Sequence, residues 1–169
     1  MAVKSLARAV KINSLPEYQW TLIEAHRMAG HSEIVKKLAV KLEKRGAIED
    51  PRTFSMYLAT VGENAQWALQ LAKSELKKRA DVITLDTLAW AFNATGDIDQ
   101  ARKFSKLALS QGTQDARLLL HAGIIASAAG EKSQAAILLN KVNAIQHMLQ
   151  PSERTQFLKE FAAVQSQIP

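Results

Sequence analysis

The sequence has no cysteine, which excludes disulfides, thiolate catalysis and cysteine-based zinc sites. That absence leaves the compartment open: it suits a reducing cytoplasm and also an exported protein that avoids stray disulfides. There is no run of about eighteen apolar residues, so no segment reads as a membrane-spanning helix. No nucleophile elbow, phosphate loop or dinucleotide fingerprint is present. The histidines are scattered, and His26 and His31 straddle an expected turn, a poor geometry for a metal pair. The chain is therefore read as no enzyme, with no catalytic residue, cofactor or metal. Proline and glycine are scarce, four and seven among 169 residues, which leaves few interruptions for helices.

Hydrophobic residues make up 47% and charged residues 22%, enough for one globular domain with a sizeable core. The net charge is +6 and the isoelectric point about 9.7. Nucleic acid or an anionic membrane would account for such an excess. So would lysines that solvate outer helix faces, and the interleaved acidic residues favour this second reading. The opening segment "MAVKSLARAVKIN" has basic residues throughout and no continuous apolar stretch, so it is not a signal peptide. It reads as an amphipathic helix with Ala2, Leu6, Ala9 and Val10 on one face.

Gly62, Gly96 and Gly130 recur at intervals of 34 residues, and Gly30 lies 32 residues before the first of them. Each follows one helical apolar pattern and precedes another, as in "WAFNATGDIDQARKFS". A glycine just past a helix end supplies the left-handed turn that other residues resist. Asp97 can cap the helix that follows Gly96, with Gln100 completing a capping box. The pattern predicts ten helices, near 2–12, 17–29, 32–45, 51–61, 64–79, 82–95, 98–110, 115–129, 132–146 and 152–166.

The spacing and the residues around it resemble the tetratricopeptide repeat, in particular the C-terminal repeats of uncharacterised bacterial proteins of that family. The unit around Leu85, Leu88-Ala89, Phe92, Gly96-Asp97, Ala101 and Ala108 matches best. Leu119, Ala122-Gly123, Ala126, Gly130, Ala135 and Leu139 follow in register. Trp67 departs from the pattern unless the register slips by one to Ala68, and the unit with Leu22, Gly30 and Val35 is the weakest. No closing proline appears inside the array. The resemblance implies an all-α, right-handed superhelix of antiparallel hairpins, a solenoid forming a single domain over 1–169. Its hairpins would be 17–45, 51–79, 82–110 and 115–146.

Segment 2–12 is spaced like the second helix of a repeat that lacks its first, so the chain is expected to be a piece of a longer repeat protein with an added Met1. Leu6 and Val10 would then form an open end, and a homodimer through this helix is expected. Residues 152–166 have Phe157, Leu158, Phe161 and Val164 on one face and are expected to cap the array. The resemblance also implies a concave groove, with exposed lines through Trp20, Glu24 and Arg27, then Arg52 and Met56. They continue through Asp86, Trp90 and Asn93, then Leu120, Ile124 and Ser127. Aromatic, Met and Arg residues are enriched in binding hot spots, although Trp90, Met56 and Ile124 could equally pack between hairpins.

The expected function is a non-catalytic interaction scaffold that binds a protein, peptide or helix in this groove. The Lys and Asn of the clamp by which some family members hold chaperone C-termini are not in register, which argues against that partner. The alternative is a nucleic-acid-binding solenoid that uses the basic runs Lys36-Lys37, Lys41, Lys44-Arg45 and Lys77-Lys78-Arg79. These runs lack interleaved aromatics for base stacking. "DARLLLHAGIIA" is read as packing, with Asp115 suited to a helix start. Asn93-Ala94-Thr95 matches a glycosylation acceptor but falls in a predicted helix.

Overall fold

Gly62, Gly96 and Gly130 take φ values of 74°, 81° and 75° in the computed structural model, which describes residues 2–166. Met1, residues 167–169 and the side chain of Ala2 lie outside that description. At Gly96 the Asp97 N–H bonds back to the Phe92 carbonyl and the Gly96 N–H to that of Asn93. This pair of bonds ends a helix by turning the chain through a left-handed residue. The Asp97 carboxylate then accepts the Gln100 N–H and starts the next helix.

Among the described residues the chain is all-α. The helices are α1 (Ala2–Ile12), α2 (Pro16–Met28), α3 (Ser32–Glu49), α4 (Pro51–Val61) and α5 (Ala65–Lys78). They continue as α6 (Val82–Ala94), α7 (Ile98–Leu109), α8 (Ala116–Ala128), α9 (Lys132–Ile145) and α10 (Pro151–Gln165), with a 3-10 turn at Gln146–Met148. Hairpins form from α2 and α3, α4 and α5, α6 and α7, and α8 and α9. The first helices pack consecutively, α2 on α4, α4 on α6 and α6 on α8, and make an inner layer. Each second helix also packs on the first helix of the next hairpin, and α1 packs on α2 in the same way.

Helix ends fall within one residue of the sequence reading except at the end of α3, and two of the differences have a structural reason. α3 continues through Gly46 to Glu49 instead of stopping near residue 45. Gly46 is helical because α4 crosses it closely: a Cβ there would lie 3.0 Å from Phe54 Cβ. α5 starts one residue late because Asn64, at φ 47°, adds a second left-handed residue after Gly62. That shift buries Ala68 fully and leaves Trp67 half-buried, so the small-residue position falls on Ala68. Ser55 on α4 donates to the Ala68 carbonyl at 2.7 Å across this contact.

The core has two parts. One runs from α2 to α7 and is built around Trp20, Phe54, Tyr57, Leu88 and Trp90. The other joins α8, α9 and α10 through Leu119, Leu139, Val142 and Phe157. Small residues set the helix separations, with Ala89, Ala101 and Ala135 fully buried. α10 does more than cover the last hairpin. It packs on α9 and α8, and it also crosses the inner layer to touch α2 and α4.

Candidate functional site

The inner layer carries one stripe of residues per helix, about one turn apart. On α2 the stripe is Glu17, Trp20, Glu24 and Arg27. On α8 it is Arg117, Leu120 or His121, and Ile124. The sequence reading expected these lines to be exposed. The structure instead buries Trp20, Glu24, Met56, Asp86, Trp90 and Leu120, under α10 or between neighbouring first helices. Arg52, Asn93, Ile124 and Ser127 are half-buried, and Arg27 is exposed. Trp20 is at 0% exposure, so truncating it would test packing and not capture.

The buried acids on this face are all engaged. Glu24 accepts from Trp20 Nε1 at 3.2 Å, from Arg27 Nη1 at 2.7 Å and from the Ser152 N–H at 3.1 Å. Asp86 faces His121 Nδ1 at 3.0 Å, and the His121 ring stacks on Trp90 with centroids 4.2 Å apart. Trp90 Nε1 in turn donates to Thr60 Oγ1 at 3.1 Å. His121 therefore packs in the core, as its sequence context suggested, and is also tied to a carboxylate. No serine hydroxyl is bonded to either group among the described residues.

Arg117 joins the two ends of the inner layer. Its guanidinium bonds Glu153 on α10 and, at 3.1 Å, Glu17 on α2, and it lies over the Trp20 ring at 4.8 Å. Burial works against the Arg117 charge, but Glu153 and Glu17 outweigh it and hold the pKa above the ordinary arginine value. Glu17, Thr60, Arg117 and Glu153 were not among the residues picked from sequence. Extending the Trp20 and Leu120 lines by one turn toward the helix starts would have found Glu17 and Arg117. Nothing local marks Thr60, and the local signal at Glu153 is of another kind, a capping carboxylate that accepts the Gln150 N–H at 2.9 Å.

Beside α10 the helix starts leave an open cleft. A cavity of about 180 Å³ is lined by Met56, Ile83, Asp86, Thr113, Arg117 and Leu118 among others. A neighbouring one of about 150 Å³ shares Met56, Ile83 and Arg117 and adds Glu17 and Arg52. Arg52 bonds Asp81 across its rim at 3.2 Å. Partial burial pushes the Asp81 carboxyl up. The Thr84 N–H and hydroxyl, with Arg52 and Arg79, outweigh it and hold the pKa below the usual carboxylate range.

The basic runs on the outer helices are partly neutralised by their own neighbours. Lys36 pairs with Glu33, Arg45 with Glu49, and Lys78 and Arg79 with Glu75. His26 and His31, expected to make a poor metal pair, have Nδ1 atoms 3.0 Å apart. No group of three or more metal-ligating side chains forms among the described residues. Leu6 and Val10 are half-buried rather than open, while Ile12 and Leu15 are exposed. No described helix is long and apolar enough to cross a membrane. Compared with known proteins, the chain matches no family model and no curated sequence.

Proposed function

We propose that the protein is a non-catalytic interaction scaffold of tetratricopeptide-like hairpins, and that its inner face binds a helix or peptide of a protein partner. The observation that carries this reading is α10 itself, a helix already seated across α2, α4, α8 and α9. A layer of first helices that accepts one helix against α2, α4 and α8 has the polarity to accept another. The superhelical curvature and the family resemblance belong to this proposal. So does pairing of two copies at the α1 end, where Ile12 and Leu15 are exposed.

Nucleic acid is the weaker reading, because Lys36, Arg45, Lys78 and Arg79 of the outer basic runs are engaged with Glu33, Glu49 and Glu75. The test is a selection of helical peptides against the full chain. Binders should lose about tenfold in affinity on charge reversal at Arg27 or Arg52 and be unaffected by reversal at Lys77. Binders that respond only to Lys77 would contradict the inner-face reading. Saturable RNA binding that weakens steeply with salt would favour the nucleic-acid reading.

A further inference from the structure

α10 meets the rest of the chain in two different ways. Its later turns are apolar, with Phe157 and Val164 buried in the cluster with Leu119, Leu138 and Leu139. This half caps the last hairpin. Its first turns are polar and reach across to helices far away in sequence. The Ser152 N–H donates to Glu24, Gln156 Nε2 donates to the Thr60 carbonyl at 3.0 Å, and Gln150 Nε2, just before the helix, donates to Glu17 at 3.0 Å. Glu153, almost fully buried, is held by Arg117.

The polar half fits imperfectly. Ser152 Oγ and Gln156 Oε1 are buried without a hydrogen-bond partner, as is His121 Nε2 one turn from Arg117. Such atoms carry a desolvation penalty that a better-matched helix would avoid. The connection to α9 is the 3-10 turn at Gln146–Met148 followed by extended backbone at Leu149 and Gln150.

We propose that Glu24, the Thr60 carbonyl and Arg117 form a recognition site for the first turns of a partner protein's helix. The first turns of α10 occupy this site in cis until that helix replaces them. The proposal rests on the inner-face reading above and specifies the ligand. The partner helix brings a carboxylate in its first turn for Arg117 and a free N–H at its start for Glu24. One turn later it brings a side-chain amide for Thr60. A lysine or arginine in place of the carboxylate is rejected by Arg117.

Hydrogen exchange on the unmodified full chain gives the first test. Amides of residues 152–156 should open before those of α8 and α9. A single joint opening of α8, α9 and α10 would overturn the proposal. A labelled peptide of residues 149–166 is then titrated onto the wild type and onto Glu153→Gln. Loosening the cis helix enlarges the competent fraction, so the variant should bind the peptide about tenfold more tightly; equal affinities would overturn the proposal. A peptide that itself carries Glu153→Gln should bind about tenfold more weakly. If it binds as well as the parent, recognition by Arg117 is wrong while inner-face capture stands. If no helical peptide binds the loosened chain, the inner-face reading fails as well. A Glu153→Gln dimer that exchanges α10 and resists the peptide would assign the site to a second copy and overturn the proposal.

Discussion

A Cβ built on Gly123 would lie 2.8 Å from Leu139 Cδ2 and 2.9 Å from its Cγ, and Leu139 is fully buried. The α8 and α9 backbones approach this closely because the position has no side chain. Leu at Gly123, or at the fully buried Ala101, should overpack a hairpin and cost about 1–3 kcal/mol. Denaturant midpoints would show it, and wild-type midpoints in both variants would refute the packing register. The same scale governs acid stability. Burial pushes Glu75 up, yet Lys78 and Arg79 hold its carboxyl below the ordinary value of 4.5. Lys106 foremost, then Arg102 against slight desolvation, does the same for Glu131. Groups with depressed folded pKa values contribute stability that is present above their unfolded pKa and lost as pH falls through the folded one. Thermal midpoints should therefore hold from neutral pH to about 5 and drop below about 4. A midpoint that stays flat to lower pH would show these pairs contribute nothing.

At the scale of the element, the helices were legible because their signals are local. Gly96 ends α6 and Asp97 caps α7 within a few residues of sequence, and the apolar period in between is strong. The misjudged boundary at α3 depends on a contact from elsewhere, and the one at α5 on a single turn residue. Gly46 would read as a helix end in isolation, and only Phe54 passing over it explains why α3 continues. The extra turn residue Asn64 is of the type that most readily takes the left-handed conformation after glycine, so that signal was local and was passed over. α10 shows the same limit as α3. Its apolar face of Phe157, Phe161 and Val164 announced a covering helix, but its first turns bond residues in α2 and α4. A bond from Ser152 to Glu24 leaves no trace in either segment.

For the molecule as a whole, the consequence is a closed inner face where an open groove was expected. Trp20, Met56 and Trp90 are of types common in binding hot spots, yet here they are core. The proposed displacement would move the polar half of α10 and leave these three residues in place. The arrangement accounts for the charge on the inner layer, since Arg117, Glu17 and the buried Glu24 and Glu153 serve a contact between helices. The most direct measurement is an NMR titration of the full chain with the peptide of residues 149–166, following backbone amide shifts. The account predicts saturable shifts on the inner face, at Glu24, Thr60 and Arg117 and along α10 as it is displaced. Shifts confined to the outer helices α3, α5, α7 and α9 would contradict it.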